Sequence, residues 1–182
     1  MSGARPKQGH LTRDNDLTKT AETRKTIESM VDGLNDHVIN GIGAYFSESF
    51  RWMGNAGCGT KIGLKEFQDN WQRPFQAAFS DKICTDEARI AEGEWMAAFG
   101  KQMAKHTGTF MGIPPTGKTV EIRYMDFWKV CDGKIVDNWV MVDFPHVMRQ
   151  LGVDPFNGEG WEAFDDGTRV PPRPKRNEAD HR

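Results

Sequence analysis

The hydrophobic pattern of this 182-residue chain changes from a helical to a strand-like period along its length. From Thr18 onwards apolar residues recur at three- and four-residue steps, which predicts an amphipathic helix. Its apolar stripe comprises Ile27, Met30, Val31, Leu34 and Val38. We also expect a short helical stretch at 39–45, a short strand at 49–53, and a longer helix at 63–79 that Pro74 kinks or interrupts.

After residue 81 the alternation of apolar and polar residues is typical of strands. The four candidate strands are 82–91, 95–106, 119–130 and 134–143. The last two are joined by Asp132-Gly133, a dipeptide that favours a two-residue hairpin turn. A short helix is expected at 145–151, before Gly152. Because helices precede strands, the order predicts an α+β fold with helices on one side of a mostly antiparallel sheet, and it argues against a doubly wound fold.

The two ends of the chain differ in composition from its middle. Residues 1–16 are polar and rich in Gly, Lys and Arg, which predicts a mobile N-terminal tail. Residues 156–182 contain a Pro-rich segment that cannot continue a helix or a central strand, so we expect an extended C-terminal arm. Trp161 and Phe164 would attach this arm to the domain or to a neighbouring subunit. The folded domain is therefore expected at 17–155.

Two polar residues interrupt otherwise apolar strand faces. Asp126 shares one face of the third strand with Val120, Ile122, Tyr124, Trp128 and Val130. Desolvation there raises the pKa of a carboxyl group, which suits a general acid or base. The alternative is an edge carboxylate that reaches solvent or pairs with Arg123 or Arg51. Asn138 lies on a fourth-strand face with three valines, where either a ligand or the neighbouring backbone would satisfy its amide. The opposite face would carry Ile135, Asp137, Trp139, Met141 and Asp143.

Composition and charge limit the classes of partner. The formal net charge is −2, which gives no case for a nucleic-acid or membrane partner held by bulk charge, and no apolar run approaches the roughly 20 residues that span a bilayer. The three cysteines are widely spaced, so we expect no disulfide framework or zinc site, and a cytoplasmic protein. The histidines share no helix or strand face, so no metal site is expected. His106, at the end of the second strand, is a capping residue or a titrating group near a carboxylate.

Three segments of the chain are distinctive as motifs, namely His106-Thr-Gly-Thr-Phe-Met-Gly-Ile-Pro-Pro-Thr-Gly-Lys118, Asp132-Gly-Lys-Ile-Val136 and Gln150-Leu-Gly-Val153. Together they resemble the SnoaL-like polyketide cyclase family of the nuclear-transport-factor-2-like superfamily. The resemblance covers roughly residues 25–155. It implies a cone-shaped α+β barrel, in which a curved, mostly antiparallel sheet wraps a pocket that the N-terminal helices help to close. It also implies homodimers or higher oligomers that pair through the sheet.

The same resemblance implies a reaction and a departure from it. Family cyclases close a ring by an intramolecular aldol reaction, with an aspartate as general acid/base and without metal or cofactor. Their fourth strand usually reads Glu-His-Trp-Asp, whereas here it reads Asp-Asn-Trp-Val. Val140 therefore replaces the usual aspartate and Asn138 the histidine. We expect Asp126 to be the replacement acid/base, assisted by Asn138, with His106 as a further candidate and Asp143 if the fourth strand faces the other way.

The side chains expected to bind the substrate are Trp52, Met53, Tyr124, Trp128 and Val140. The chain has six Trp, eleven Phe and nine Met but only two Tyr, so part of this excess would line a pocket for a hydrophobic, aromatic or polyketide-like molecule. The expected function is a cofactor-independent enzyme of aldol cyclase, retro-aldol lyase or isomerase type. The alternatives are a non-catalytic small-molecule-binding protein, which Val140 supports, and an assembly role in which the C-terminal arm exchanges between subunits.

Overall fold

One curved, six-stranded sheet dominates the computed structural model, which describes residues 17–35 and 42–172. Its strands are β1 (Phe46–Gly54), β2 (Thr60–Ile62), β3 (Phe79–Glu92), β4 (Trp95–His106), β5 (Thr119–Cys131) and β6 (Lys134–Val142). They lie in the order β2-β1-β6-β5-β4-β3. Every neighbouring pair is antiparallel except β1 and β6, which run parallel. The predicted α+β class with a mostly antiparallel sheet is therefore confirmed.

The helices cover the inner face of the sheet and its end. They are α1 (Leu17–Asn35), α2 (Leu64–Phe67), α3 (Arg73–Ala78), α4 (Phe144–Gln150) and α5 (Glu162–Asp165), with a 3₁₀ turn at Ile42–Tyr45. The buried stripe of α1 includes the predicted Ile27 and Met30. Two threonines fix α1 to the β3–β4 turn, because Thr23 Oγ1 donates to the Gly93 carbonyl and the Gly93 N–H donates to Thr20 Oγ1, each at 2.8 Å. No helix among these residues is both long and apolar enough to cross a membrane.

The helix predicted at 63–79 is interrupted, as expected, but by a widened turn. A π-helical turn, Gln68–Gln72, separates α2 from α3. Pro74 lies in the first turn of α3 and has no N–H to donate to the carbonyl four residues earlier, which explains why regular α-helical bonding fails there. The turn rotates Gln72 into the interior, where it is 6% exposed.

The turn between β5 and β6 follows its sequence closely. Asp132 and Gly133 have φ of 50° and 68°, the left-handed pair that a two-residue hairpin of matching twist requires. Past the turn, the prediction for the faces of β6 is wrong in part. Ile135 is fully buried on the inner face, because a bulge shifts the pairing between Val130↔Ile135 and Lys129↔Asp137. Beyond the bulge the predicted inner face holds.

Several smaller elements lie outside or beyond the predictions. The strand β2 was not predicted, because three residues are too few to show an alternating pattern. The expected N-terminal tail at 1–16 and the helical stretch at 39–41 lie outside the described residues, as does the end of the C-terminal arm. Within the described part of that arm, Trp161 is 83% exposed and makes an edge-to-face contact with Phe164, so it does not attach the arm to its own domain. Instead, Arg149 of α4 pairs with Glu162 of α5.

Much of the aromatic excess forms one continuous cluster beside the sheet. The members in ring contact are Phe46, Phe50, Trp52, Phe67, Trp71, Phe75, Phe79, Phe110 and Phe144. Trp71 stacks at 4.6 Å on Trp52 and at 4.9 Å on Phe75, which joins the helices to β1. Each such pair contributes about 1 kcal/mol beyond the burial of its area. The cluster therefore makes a rigid wall on one side of the space that the sheet encloses.

Candidate active site

A cavity of about 370 Å³ lies between the inner face of the sheet and the helices. This volume suits a small organic molecule of a few rings. Its apolar lining consists of Met30, Leu34, Phe46, Trp52, Phe67, Trp71, Phe75, Phe79, Ile122, Trp128, Val140 and Val142. Its polar lining consists of Gln72, Gln76, Ser80, Asp81, Lys82, Cys84, Gln102, Tyr124, Asp126 and Asn138. The polar side chains are the candidates for catalysis, since the apolar ones can only shape the cavity and exclude water from it.

Asp126 presents its carboxyl group to this cavity from β5. It is 9% exposed, and its Oδ1 accepts a hydrogen bond of 2.8 Å from Asn138 Nδ2. Burial raises the pKa of Asp126 to about 7, the Asp86 charge adds to the rise, and the hydrogen bond from Asn138 opposes it. The expected alternative, pairing with an arginine, is wrong, because Arg51 pairs with Asp137 and Arg123 pairs with Glu121. At neutral pH the Asp126 carboxyl can therefore both take up and release a proton.

Asn138 holds the Asp126 carboxyl from the neighbouring strand. Its side chain is 5% exposed, and its two other contacts, to the carbonyl oxygens of Phe127 and Trp139, are long at 3.4 Å. The carboxyl group is thus its close partner, ahead of the backbone. Across the same strand pair, Asp126 lies directly opposite Val140. The carboxyl group therefore comes from β5 at the level where the resemblance would place an aspartate on β6.

A second buried carboxyl group, Asp86 on β3, completes a polar network that the sequence reading missed. The Tyr124 hydroxyl donates to Asp86 Oδ1, and Arg89 Nε donates to Asp86 Oδ2 at 2.5 Å. Burial, together with the hydrogen bond to Asp86, raises the pKa of Tyr124, so its phenol stays protonated at physiological pH. The signal in the sequence was the period-two series Lys82, Cys84 and Asp86, which places three polar side chains on the inner face of β3.

Two further polar side chains face the cavity without a hydrogen-bond or ion-pair partner among the described residues. Gln72 is buried, and neither its Nε2 nor its Oε1 has a hydrogen-bond partner there. The Lys82 ammonium lies 4.9 Å from the centre of the Phe75 ring. Burial lowers the pKa of Lys82 to about 8 and raises that of Cys84 to about 12, so the thiol is no nucleophile at neutral pH.

Six of the predicted site residues line the cavity and two do not. Asp126, Asn138, Trp52, Tyr124, Trp128 and Val140 are brought together there. Met53 lies on the opposite face of β1 from Trp52 and does not line the cavity, because successive strand residues point to opposite faces.

His106 is fully buried against Phe79, which lines the cavity, but His106 itself does not. Its Nδ1 lies 3.1 Å from Thr116 Oγ1, and desolvation lowers the pKa of the ring. These contacts tie the end of β4 to the loop before β5.

The remaining candidates have structural surroundings. Asp143 caps α4, where its carboxyl oxygen accepts from the His146 N–H at 3.1 Å. All three cysteines have free thiols. In residues 17–35 and 42–172, no group of three or more His, Cys, Asp or Glu side chains is placed to hold a metal ion.

Comparisons with known proteins identify the family of this chain. Among curated proteins, the nogalonic acid methyl ester cyclase of Streptomyces nogalater is 31% identical over 136 residues, which are 72% of this chain and 98% of the relative. The aklanonic acid methyl ester cyclase DauD of Streptomyces sp. (strain C5) is 31% identical over 100 residues, which are 54% of this chain and 58% of the relative.

Solved structures share the fold at lower identity. AclR from Streptomyces galilaeus superposes with a TM-score of 0.66 at 23% identity, over 73% of this chain and 97% of AclR. IdmH from Streptomyces antibioticus superposes with a TM-score of 0.63 at 23% identity, over 72% and 99% of the two chains. A family model described as SnoaL-like polyketide cyclase matches residues 24–151. The chain therefore belongs to the SnoaL-like polyketide cyclase family.

Proposed function

We propose that this protein is a cofactor-independent enzyme that closes a ring in an aromatic, polyketide-like molecule by an intramolecular aldol reaction. The observation that carries this proposal is the buried carboxyl group of Asp126, whose pKa of about 7 suits proton transfer in both directions. The cyclase names of the curated relatives support ring closure as the reaction type. The aromatic walls of the cavity support a flat, hydrophobic substrate.

In the proposed reaction, the Asp126 carboxylate removes a proton from a carbon next to a substrate carbonyl. The resulting enolate attacks a second carbonyl carbon of the same molecule, which forms one carbon–carbon bond and leaves an alkoxide. The protonated Asp126 then returns its proton to that alkoxide, so the carboxylate is regenerated and no atom is gained or lost. One group performs both transfers because its pKa lies near the working pH.

The neighbours of Asp126 keep this chemistry selective. Asn138 orients the carboxyl group through its 2.8 Å hydrogen bond, which leaves the second carboxyl oxygen for the substrate. Val140 opposite Asp126 adds an apolar contact and no competing acid. Tyr124 is bound to Asp86, so it contributes shape and leaves proton transfer to Asp126. A dry cavity also protects the enolate from protonation by water.

A non-catalytic binding role is the second candidate, and one observation favours it. Val140 occupies the position where the resemblance implies the catalytic aspartate. A binding protein of this shape would hold the same aromatic ligand and release it unchanged. The two candidates therefore differ in turnover and agree in binding.

The experiment compares wild-type protein with Asp126→Asn, using nogalonic acid methyl ester and the corresponding free acid as the first substrates. Chromatography with absorbance detection follows the ring-closed isomer, since cyclisation leaves the mass unchanged. We expect Asp126→Asn to reduce turnover at least about 100-fold, because the general acid/base is removed while the shape is kept. The matched control is Asp165→Asn on exposed α5, which should retain wild-type turnover. Equal turnover by Asp126→Asn and wild type would reject the assignment, and binding without turnover by wild type would favour the second candidate.

We further propose that the protein forms a homodimer through the outer face of its sheet. This face carries exposed apolar side chains in neighbouring registers, namely Phe99, Met125, Phe127, Trp139 and Met141, each 47–60% exposed. A contiguous apolar patch of this kind is typical of an interface between protein chains. Pairing through the sheet would also leave the cavity, on the inner face, open to the ligand.

A further inference from the structure

Lys82 on β3 and Asp126 on β5 line the same cavity. Lys82 lies between Ser80, which pairs with Lys105, and Ile83, which pairs with Met103. This is the level of Ala104, whereas Asp126 pairs with Ala98. Six residues along the strands separate the two levels, while the Cys84 thiol, two residues from Lys82, interacts electrostatically with both Lys82 and Asp126. A ligand whose reacting carbon lies at Asp126 therefore extends towards Lys82.

Lys82 is a cation with no anion to neutralise it in the described part of the chain. Its ammonium rests on the Phe75 ring, and the nearby Cys84 thiol is protonated at neutral pH, so it does not neutralise the charge. The neighbouring Asp81 is exposed, and its carboxyl group contacts the Ser80 hydroxyl. With its pKa at about 8, Lys82 is still charged at neutral pH in spite of its burial. Lys82 is partly buried, and a partly desolvated charge without an ion-pair partner is costly, so an anionic ligand group would be favoured there.

Gln72 provides a second and independent sign of a ligand in this cavity. Gln72 lies about one helical turn before Phe75 in the chain. The Lys82 ammonium lies over the Phe75 ring. Both atoms of the buried Gln72 amide lack a partner, one a donor and one an acceptor. Adjacent hydroxyl and carbonyl oxygens on an aromatic ring supply an acceptor and a donor in this arrangement. Buried amides are otherwise almost always satisfied in folded proteins.

We infer that Lys82 and Gln72 form a recognition subsite for an aromatic hydroxy-acid, in which Lys82 binds a free carboxylate and Gln72 binds the ring hydroxyl and carbonyl oxygens. This inference rests on the proposed function, because it concerns the substrate of the same cavity. It specifies that the substrate carries a free acid, unlike the methyl esters that name the curated relatives. Lys82 acts in binding, and proton transfer stays with Asp126.

The test compares the binding of rhein, a dihydroxyanthraquinone carboxylic acid, with that of its methyl ester by titration calorimetry at about pH 6.5, where an aromatic carboxyl is ionised. We expect wild-type protein to bind the acid at least about tenfold more tightly than the ester, since hydrogen bonds to charged groups are the strong ones. Lys82→Met should abolish this preference and Lys82→Arg should retain it. The control Lys25→Met, on the exposed side of α1, should behave as wild type.

Gln72 is tested with a third ligand, anthraquinone carboxylate, which lacks the ring hydroxyls. Gln72→Leu should weaken rhein binding about fivefold or more and leave the binding of the unhydroxylated acid unchanged. It should also raise the melting temperature of the ligand-free protein, because it removes an unsatisfied amide. Circular dichroism confirms that each variant is folded.

The outcomes separate this inference from the proposed function. If acid and ester bind wild type equally, and Lys82→Met changes neither, the subsite is rejected while an aromatic ligand in the cavity still stands. If wild type binds none of the three ligands, the aromatic-ligand proposal and the subsite fall together. An acid preference that survives in Lys82→Met would assign the carboxylate to another cation and overturn the inference.

Discussion

The carboxyl group of Asp126 should make the stability of this protein depend on pH in a direction opposite to that of most carboxylates. Burial raises the pKa of Asp126 from 3.8 to about 7 in the folded state. The folded protein therefore binds a proton that the unfolded chain has released between these pH values. By linkage, Asp126 makes its full contribution to the free energy of unfolding below about pH 4. This contribution is lost as the pH rises to about 7.

The magnitude follows from the difference between the two pKa values. About three pH units at roughly 1.4 kcal/mol each give up to about 4 kcal/mol of lost stability at pH 8. Asp126→Asn removes the titration, and the amide oxygen of the new side chain can still accept the hydrogen bond from Asn138. We therefore expect this variant to be more stable than wild type by about 3–4 kcal/mol at pH 8, with a gain of roughly 1 kcal/mol at pH 5.

Urea denaturation of both proteins at half-unit steps between about pH 5 and pH 8 measures this difference directly, because every other titrating group is common to the two chains. The exposed Asp165→Asn variant is the control for a generic change of charge, and surface substitutions of that kind usually stay within about 0.5 kcal/mol. A stability difference that stays constant across this pH range would refute the reasoning, since it would mean that the carboxyl group titrates alike in both states. The same variant should lose turnover, so the acid/base role and the stability cost would be two results of one buried group.

Three other substitutions probe different parts of the structure. Asn138→Leu removes the hydrogen bond that lowers the pKa of Asp126, so this pKa should rise. The acidic limb of the pH–rate profile should then shift to higher pH by about one unit, and an unshifted limb would contradict the Asn138–Asp126 hydrogen bond. Trp139→Lys on the outer face should convert a dimer to a monomer in sedimentation equilibrium, while a mass equal to that of wild type would argue against this interface. Gly100→Ala would place a Cβ 2.2 Å from the Thr85 carbonyl oxygen, so we expect a loss of about 2–3 kcal/mol in urea denaturation, and unchanged stability would show that β3 yields at no cost.

The fold and the centre of the site could be read from the sequence because both depend on local alternation. Asp126 on its apolar face and Asn138 among valines are visible as period-two patterns, and Asp132-Gly133 specifies its turn. Such patterns carry the direction of each side chain but no distances. That the Asn138 amide lies 2.8 Å from the Asp126 carboxyl group is a matter of register between strands.

The residues that sequence reasoning missed depend on irregular geometry or on distant partners. Gln72 follows Trp71 in the helix predicted at 63–79, and in an ideal helix successive side chains point about 100° apart around the axis. The π-helical turn changes this rotation and places both residues on the cavity. Asp86 shows its role only through the Tyr124 hydroxyl that binds it from β5. His106 is at a strand end in the sequence, and the following loop covers it.

Because of the bulge in β6, the whole site depends on whether the number of residues between the turn and the site on this strand is odd or even. If the hairpin were regular from the Cys131↔Lys134 pair onwards, Asp126 would pair with Trp139. The large indole would then lie beside the carboxyl group on the same face of the sheet. The extra residue at Val136 shifts the pairing of β6 with β5 by one position, so Asp126 pairs with Val140 instead. Deleting Val136 would thus exchange the two faces of the rest of the strand, with the cavity lining sent outward and the outer apolar patch sent inward. Inserting or deleting two residues in this hairpin would therefore keep each side chain on its face of the sheet. A single insertion or deletion would destroy the site and the outer apolar face together.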